Sequence, residues 1–156
     1  MSTKLSNTEQ SLYKHLAQGA ADSDVFAEVK LTDEGLSCKA LNSAEPAFYC
    51  VRVLADGIWI SLETEDRWLS GSIEEDLVNT GDKIDELIEE EVIDLGDDNA
   101  KVTIEHFRSP EKLYVFRSKL STSIDDAAAA ERALIWLKGY ELVFRELGDM
   151  DDSDED

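Results

Sequence analysis

The dipeptide Asp56-Gly57 constrains the fold more than any other feature of the sequence. It separates two apolar, strand-forming runs, residues 48–55 and 58–63. Asp-Gly suits the tight turn that joins two antiparallel strands, because that turn needs residues that adopt positive φ. The dipeptide therefore predicts a β-hairpin, and the fold must contain antiparallel pairing at this point of the chain.

Two more hairpins are predicted on either side of this one. Residues 25–31 alternate apolar and polar side chains, and after a Thr-Asp-Glu-Gly turn a second run follows at 36–41. Residues 101–107 and 113–120 form the third pair of runs, joined across a short polar segment that contains proline. Alternation with a period of two is the pattern of a half-buried strand.

Helical spacing appears in three other segments. The first begins at Asn7, with Gly19 as the expected stop, and the second covers residues 82–95 with Gly96 as the expected C-cap. The third begins at a Ser/Thr cap and runs over residues 121–147. The first two segments have their apolar residues on one side of the helix, which is the pattern of an amphipathic helix.

The order of these elements predicts an α+β fold: an antiparallel sheet of β-hairpins with the order helix-hairpin-hairpin-helix-hairpin-helix. Residues 67–73 fit either a short edge strand or a segment that covers the sheet. We expect one domain over residues 1–148, because 156 residues is an ordinary length for a single domain. Residues 149–156 contain six acids and no base, and they are expected to form a disordered tail.

Charge limits the partners. The chain has 36 acidic and 15 basic side chains, and its net charge of −21 would repel a phosphate backbone or an anionic membrane. A cationic protein, a basic peptide or a divalent cation would be attracted, although such charge most often serves solubility. No signal peptide and no run of about 20 apolar residues is present, so we expect a cytoplasmic protein without a membrane span. Cys38 and Cys50 are expected to be reduced and buried.

The sequence contains none of the common catalytic or metal-binding motifs. It has no phosphate-binding loop, and the acids between residues 74 and 98 do not have the spacing of an EF-hand. His15 and His106 are expected to be ordinary surface or edge residues. We therefore predict a protein that is not an enzyme and that uses no cofactor or metal. The rival hypothesis is an enzyme whose site is assembled from scattered residues: Glu63, Glu65, Asp66, Arg67 and His106.

The last helix has a broad apolar surface. One stripe is extended by residues on other sides of the helix, so the helix is expected to have two packing partners. One partner would be the sheet, and the other would be a second copy of the chain or an apolar partner segment. Complete burial under a curved sheet is an equally good alternative. The candidate residues for a partner or homodimer interface are Trp136, Tyr140, Leu142, Val143 and Phe144.

The stretch over residues 101–147 resembles the C-terminal half of the type III secretion chaperone-like fold. The resemblance lies in a hairpin that ends in Leu-Tyr-Val-Phe-Arg-Ser-Lys-Leu at 113–120, a Ser/Thr cap, an Ala-rich opening and a long helix. That fold includes the secretion chaperones and a related group of bacterial sensory-transduction regulators. The resemblance implies a dimer that holds an extended protein segment on hydrophobic patches, and it implies no catalytic residues.

These observations lead to one expected function. We expect a protein-binding module, chaperone-like or regulatory, that uses apolar patches on the sheet within a strongly acidic domain. Its partner is expected to be another protein or a second copy of the chain, and no nucleic acid or membrane. The alternative from another class is an acidic mimic of nucleic acid that captures a basic protein.

Overall fold

The hairpins assemble into one antiparallel sheet. The structure, a computed structural model, describes residues 7–23, 26–32, 35–40, 47–54, 57–65, 67–81, 83–97, 101–109, 113–120 and 128–144. Along these residues the elements are α1 (Asn7–Ser23), β1 (Phe26–Thr32), β2 (Gly35–Ala40), β3 (Ala47–Leu54), β4 (Gly57–Thr64), α2 (Arg67–Thr80), α3 (Ile84–Leu95), β5 (Glu105–Arg108), β6 (Tyr114–Lys119) and α4 (Ala129–Phe144).

The order of strands across the sheet is β1-β2-β3-β4-β6-β5, and every pair is antiparallel. The helices α2 and α3 lie in the connection between β4 and the last hairpin, which returns so that β6 pairs with β4. The last hairpin thus completes the sheet on the β4 side and leaves β1 and β5 at the two edges. The predicted α+β class with an antiparallel sheet of hairpins is confirmed.

The predicted central hairpin is confirmed in register. Leu54 pairs with Gly57, and Gly57 has a φ of 142°, a conformation that a residue with a Cβ rarely adopts. Asp56 lies outside the described residues. The first hairpin also turns at a glycine, Gly35. A Cβ at this position would lie 2.4 Å from the carbonyl oxygen of Val51, so a larger residue would clash there.

The connection after β4 differs from the predicted element order. Residues 67–73 belong to α2, a helix that the sequence analysis did not predict, and they form neither an edge strand nor a simple cover. Ile73 and Leu77 recur one turn apart along α2, and Ile73 is completely buried in the core. Burial of this side of the helix outweighs the weak helix propensity of a segment that contains Gly71.

One helix boundary and one strand boundary also differ from the prediction. α1 continues through Gly19 to Ser23. A Cβ on Gly19 would lie 2.5 Å from a methyl group of Leu134, so glycine is needed here for close packing. Gly19 is therefore a packing contact with α4 and does not end the helix. Gly96, by contrast, ends α3 as predicted, with a φ of 126°. The last hairpin begins at Glu105 in the structure, and residues 101–104 are not in a strand.

All buried apolar side chains of the helices pack on one side of the sheet. Along each strand, side chains point alternately to the two sides of the sheet. The helix residues form a single cluster with one of these two sets of strand side chains, and this set includes Leu36, Tyr49, Ile60 and Phe116. We call this side the inner face. Among the described residues, no helix is long and apolar enough to cross a membrane.

Candidate binding face of the sheet

The strand side chains that alternate away from the core form the second side of the sheet, which we call the outer face. Cross-strand register places them in rows. One row is Lys30, Ser37, Cys50, Ser61, Arg117 and Glu105, and a second is Glu28, Lys39, Phe48, Glu63, Val115 and Phe107. A third consists of Arg52, Trp59 and Lys119, with Leu54 and Thr32 at strand ends beyond it.

The outer face is separate from the core cluster. Cys50, Trp59 and Val115 are buried, yet none of them belongs to the cluster that contains every buried apolar helix residue. In the part of the chain that the structure describes, no helix contributes a buried apolar side chain to this face. The centre of this face is nevertheless closed to solvent, because Cys50, Ser61 and Val115 are each at most 5% exposed.

A buried ion pair lies at the centre of the outer face. Glu63 is only 5% exposed, and its carboxylate accepts hydrogen bonds from the guanidinium of Arg52, one of them 3.1 Å long between Nη2 and Oε1. The hydroxyl of Ser61 donates to the same carboxylate at 2.8 Å. A buried carboxylate is stable only when its oxygens are satisfied in this way. Glu63 is thus held in one position by two neighbouring strands.

The two cysteines are buried, as predicted, but they point to opposite faces. Cys38 belongs to the inner face and Cys50 to the outer face, so their Cβ vectors diverge and a disulfide between them is geometrically excluded. Burial raises the pKa of both thiols to about 12, and the nearby carboxylate of Glu63 adds to the effect at Cys50. Neither thiol is a nucleophile near neutral pH, because the thiolate is the reactive form.

On the outer face, an arginine side chain lies between two aromatic rings. The guanidinium carbon of Arg117 lies 4.1 Å from the ring centroid of Trp59 and 5.0 Å from that of Phe107. Its Nε donates to Glu105 at 2.9 Å. Each such cation–π contact is worth about 0.5–1 kcal/mol at an exposed site. The contacts join β4, β5 and β6 into one aromatic and cationic surface.

The described strand residues of the outer face have a net charge of opposite sign to that of the whole chain. The face carries five cations, Lys30, Lys39, Arg52, Arg117 and Lys119, and three carboxylates, Glu28, Glu63 and Glu105. Each carboxylate forms an ion pair with a cation of the same face. Lys39 and Lys119 are exposed and contact no carboxylate within the described ranges.

Two residues of the rival enzyme hypothesis, Glu63 and His106, lie on opposite faces of the sheet. Glu63 pairs in register with Val115 on the outer face, whereas His106 pairs with Phe116 on the inner face. The ring of His106 stacks on Phe116, with Nδ1 2.9 Å from the carbonyl oxygen of Val115 and Nε2 in contact with Glu74 of α2.

Of the other members of that set, only the side chain of Glu65 is among the described residues. Glu65 is exposed just after β4, Asp66 lies outside the described residues, and the side chain of Arg67 lies outside them as well. His15 is exposed on α1. Across the described ranges, no group of three or more His, Cys, Asp or Glu residues is arranged to hold a metal ion.

The interface candidates on α4 lie inside the single chain. Trp136, Tyr140 and Phe144 are completely buried, Val143 is buried and Leu142 is half-buried. Within the single chain the aromatic stripe is therefore part of the core, as the alternative of complete burial expects. In one chain these aromatic side chains are not available to a partner.

Hydrogen bonds fix the polar ends of this stripe. The indole nitrogen of Trp136 donates to Asp97 at 2.8 Å, and Arg132 pairs with the other oxygen of the same carboxylate at 3.0 Å. The hydroxyls of Tyr140 and Ser118 lie 2.6 Å apart, and burial raises the pKa of Tyr140. α4 is thereby tied to β6 and to the end of α3.

Comparison with protein-family models, with curated proteins and with solved structures finds no match to this chain.

Proposed function

We propose that the protein is a non-enzymatic protein-binding module, chaperone-like or regulatory, and that its partner binds to the outer face of the sheet. The observation that carries the proposal is the composition of that face. Phe107 is exposed there beside Arg117, and aromatic and arginine side chains are the types enriched at protein interfaces.

Exposed apolar area supports the same assignment. Leu54 is 43% exposed and Phe107 is 36% exposed, and both belong to the outer face. The neighbouring Trp59 and Arg117 are already ordered by their stacking contact, so binding would cost little additional side-chain entropy. A partner on this face would cover apolar surface without any rearrangement of the core.

The edges of the sheet are less suited to binding by strand addition. β5 has only four residues, and β1 carries Glu28 and Lys30 together with a register irregularity between Phe26 and Glu28. Short edge strands, edge charges and bulges are the features that keep a further strand from pairing. This leaves the outer face as the better surface for a partner.

Paired substitutions test the proposal. In capture experiments with the full chain, Leu54→Thr/Phe107→Thr removes apolar area from the outer face but keeps residues that suit strands. The matched control is Val78→Thr, because Val78 is 79% exposed on α2. We expect a partner that wild type and the control retain and the double variant loses. Retention of every partner by the double variant, with an unchanged circular dichroism spectrum, would contradict the proposal.

A second candidate is the acidic mimic that captures a basic protein, and α3 favours it. The helix contains six carboxylates and no cation in 12 residues. Glu86, Glu90 and Asp94 lie at successive i, i+4 positions and are all exposed, a spacing at which like charges destabilise a helix by about 0.2–0.5 kcal/mol per pair. Loss of the partner in Glu86→Gln/Glu90→Gln/Asp94→Asn, with retention in Leu54→Thr/Phe107→Thr, would favour this candidate.

A further inference from the structure

We infer that His106 and Glu74 form a pH-sensitive latch that fastens α2 to the last hairpin. The latch is closed when the imidazole ring of His106 is protonated, and it is weakened when the ring is neutral. The inference does not depend on the proposed function, because the latch lies on the inner side of the sheet and the proposed partner binds the outer face. It starts from the two acceptor atoms that the ring nitrogens contact.

Both ring nitrogens of His106 face hydrogen-bond acceptors. Nδ1 lies 2.9 Å from the carbonyl oxygen of Val115, and Nε2 contacts a carboxylate oxygen of Glu74. A backbone carbonyl and a carboxylate accept hydrogen bonds but cannot donate them, whereas a neutral imidazole has only one N–H. The imidazolium form alone donates to both acceptors. In a neutral ring that keeps its Nδ1 proton, the lone pair of Nε2 faces the carboxylate, and the contact with α2 is lost.

The ring of His106 is held in place by the hairpin and the core beneath it. It stacks on Phe116 with the ring centroids 3.8 Å apart and an interplanar angle of 9°, and Phe116 packs in turn on Phe144 of α4. The contact with Val115 lies within the β5–β6 pair. Glu74, by contrast, keeps 54% of its side chain exposed on α2. The ring therefore stays with the hairpin, and α2 is the element that the latch holds or releases.

The helix α2 is lightly buried. Among its described side chains, Ile73 is the one that is completely buried, and Ser72 and Leu77 are half-buried. The helix contacts the sheet at β4, and it contains Gly71, which lowers its helix propensity. Elements with little buried apolar area open locally at a low cost in free energy. One ion pair at the hairpin can therefore change how often α2 opens and uncovers the apolar surface under Ile73.

The groups around the ring set the sign of its response to pH. Glu74 attracts the imidazolium and Arg108 repels it, but the guanidinium carbon of Arg108 lies 5.8 Å from the ring centroid of Tyr114. Histidine is the side chain whose charge ordinarily changes between about pH 5 and 8. The latch is therefore closed at the acidic end of this range and loosens as the pH rises. The described charged and titratable groups on the inner side of the elements packed around the ring are Glu74 and Glu75 on α2, Arg108 on β5, Tyr114 on β6, and Tyr140 and Glu141 on α4.

Hydrogen exchange of the α2 amides in the full-length protein measures the latch. Exchange rates corrected for the intrinsic effect of pH give the fraction of molecules in which α2 is open. An ion pair as exposed as this one changes an equilibrium by up to about fivefold. We expect the open fraction to rise by about three- to fivefold between about pH 5.5 and about pH 8. An open fraction that stays constant over this range would overturn the inference.

Two pairs of matched variants show whether His106 and Glu74 cause the rise. His106→Gln and Glu74→Gln remove the latch, whereas His15→Gln and Glu75→Gln change exposed residues of the same types, on α1 and beside Glu74. We expect the rise to vanish in the first two variants and to persist in the second two. Glu74→Gln leaves the stack of His106 on Phe116 in place, so it gives the answer even when His106→Gln unfolds the hairpin. An equal rise in wild type and in Glu74→Gln would overturn the inference.

Discussion

The two faces of the sheet use the same strands for different purposes. The inner face consists of fully buried side chains such as Ile60 and Leu62, which pack against α4 and the other helices. The outer face alternates with it along the same strands but carries ion pairs, two aromatic rings on an arginine and exposed lysines. Alternation with a period of two therefore assigns the packing with the helices to one set of residues and the ion pairs and cation–π contacts to the other.

The largest stability effect is expected on the inner face. Phe144 is completely buried, with its ring centroid 5.2 Å from that of Phe116. Phe144→Ala should lower the free energy of unfolding by about 3–5 kcal/mol, because it removes buried area and leaves a cavity. Denaturant titration measures this, with Val78→Ala as an exposed control that should change stability by less than about 0.5 kcal/mol. A loss below about 1 kcal/mol for Phe144→Ala would show that α4 does not pack as described.

The buried ion pair of the outer face is the next test of the comparison. Glu63→Gln removes the carboxylate charge that pairs with Arg52 and should cost about 2–3 kcal/mol, less than the loss of a fully buried pair would, since Arg52 keeps 30% of its side chain exposed. Arg52→Met/Glu63→Leu removes both charges and should recover at least half of that loss. Chemical denaturation of all three variants tests this prediction. A double variant less stable than Glu63→Gln would mean that the pair stabilises the fold by itself.

The cysteine pKa values predict a loss of stability at high pH. Both thiols have a pKa near 12 in the folded chain, above their ordinary value of 9.0. The protonated form is favoured on folding, so this stability is complete below about pH 9 and decreases as the pH rises toward 12. Each thiol should contribute a slope of about 1.4 kcal/mol per pH unit in that range.

Cys38→Ser/Cys50→Ser provides the control for this pH dependence. Unfolding free energies of wild type and the double variant should diverge in slope above about pH 9, with the wild type falling more steeply. Parallel curves would contradict the raised pKa values. In the same pH range, native wild-type protein should react slowly with a thiol reagent and unfolded protein quickly.

The smallest effect is expected where one hydroxyl is removed from the core. Tyr140→Phe deletes the contact with Ser118 but keeps the ring, so it should cost about 1 kcal/mol. Tyr140→Phe/Ser118→Ala should cost little more than the single change, because both partners of the hydrogen bond are then absent. Thermal unfolding measures both. Additive losses from the two substitutions would show that the hydroxyls do not interact.

Local signals in the sequence were sufficient to predict much of the fold. Asp56-Gly57 identified the central hairpin, and Gly96 identified the end of α3, because a positive φ is a local requirement. The helix α2 was missed because Gly71 lies in it between two serines, and its stabilising contact, the burial of Ile73, depends on distant residues. The same dependence on distant contacts made Gly19 a misleading helix stop.

The candidate site was harder to predict than the fold. Its residues come from all six strands, and Lys39 and Lys119 belong to one surface only because β6 pairs with β4. Alternation along residues 48–54 and 58–63 does assign Arg52, Trp59 and Glu63 to the same face once the hairpin register is known. Alternation alone does not show which of the two faces the helices cover. In the sequence, the apolar stripe of α4 is equally consistent with a core and with an interface.

Capture of a partner by wild type, by Leu54→Thr/Phe107→Thr and by Val78→Thr tests the central claim most directly. The account predicts that wild type and Val78→Thr retain a partner that the double variant loses, because Leu54 and Phe107 are exposed apolar side chains of the outer face. The circular dichroism spectra of the three proteins should be the same. Retention of every partner by a folded double variant would contradict the account.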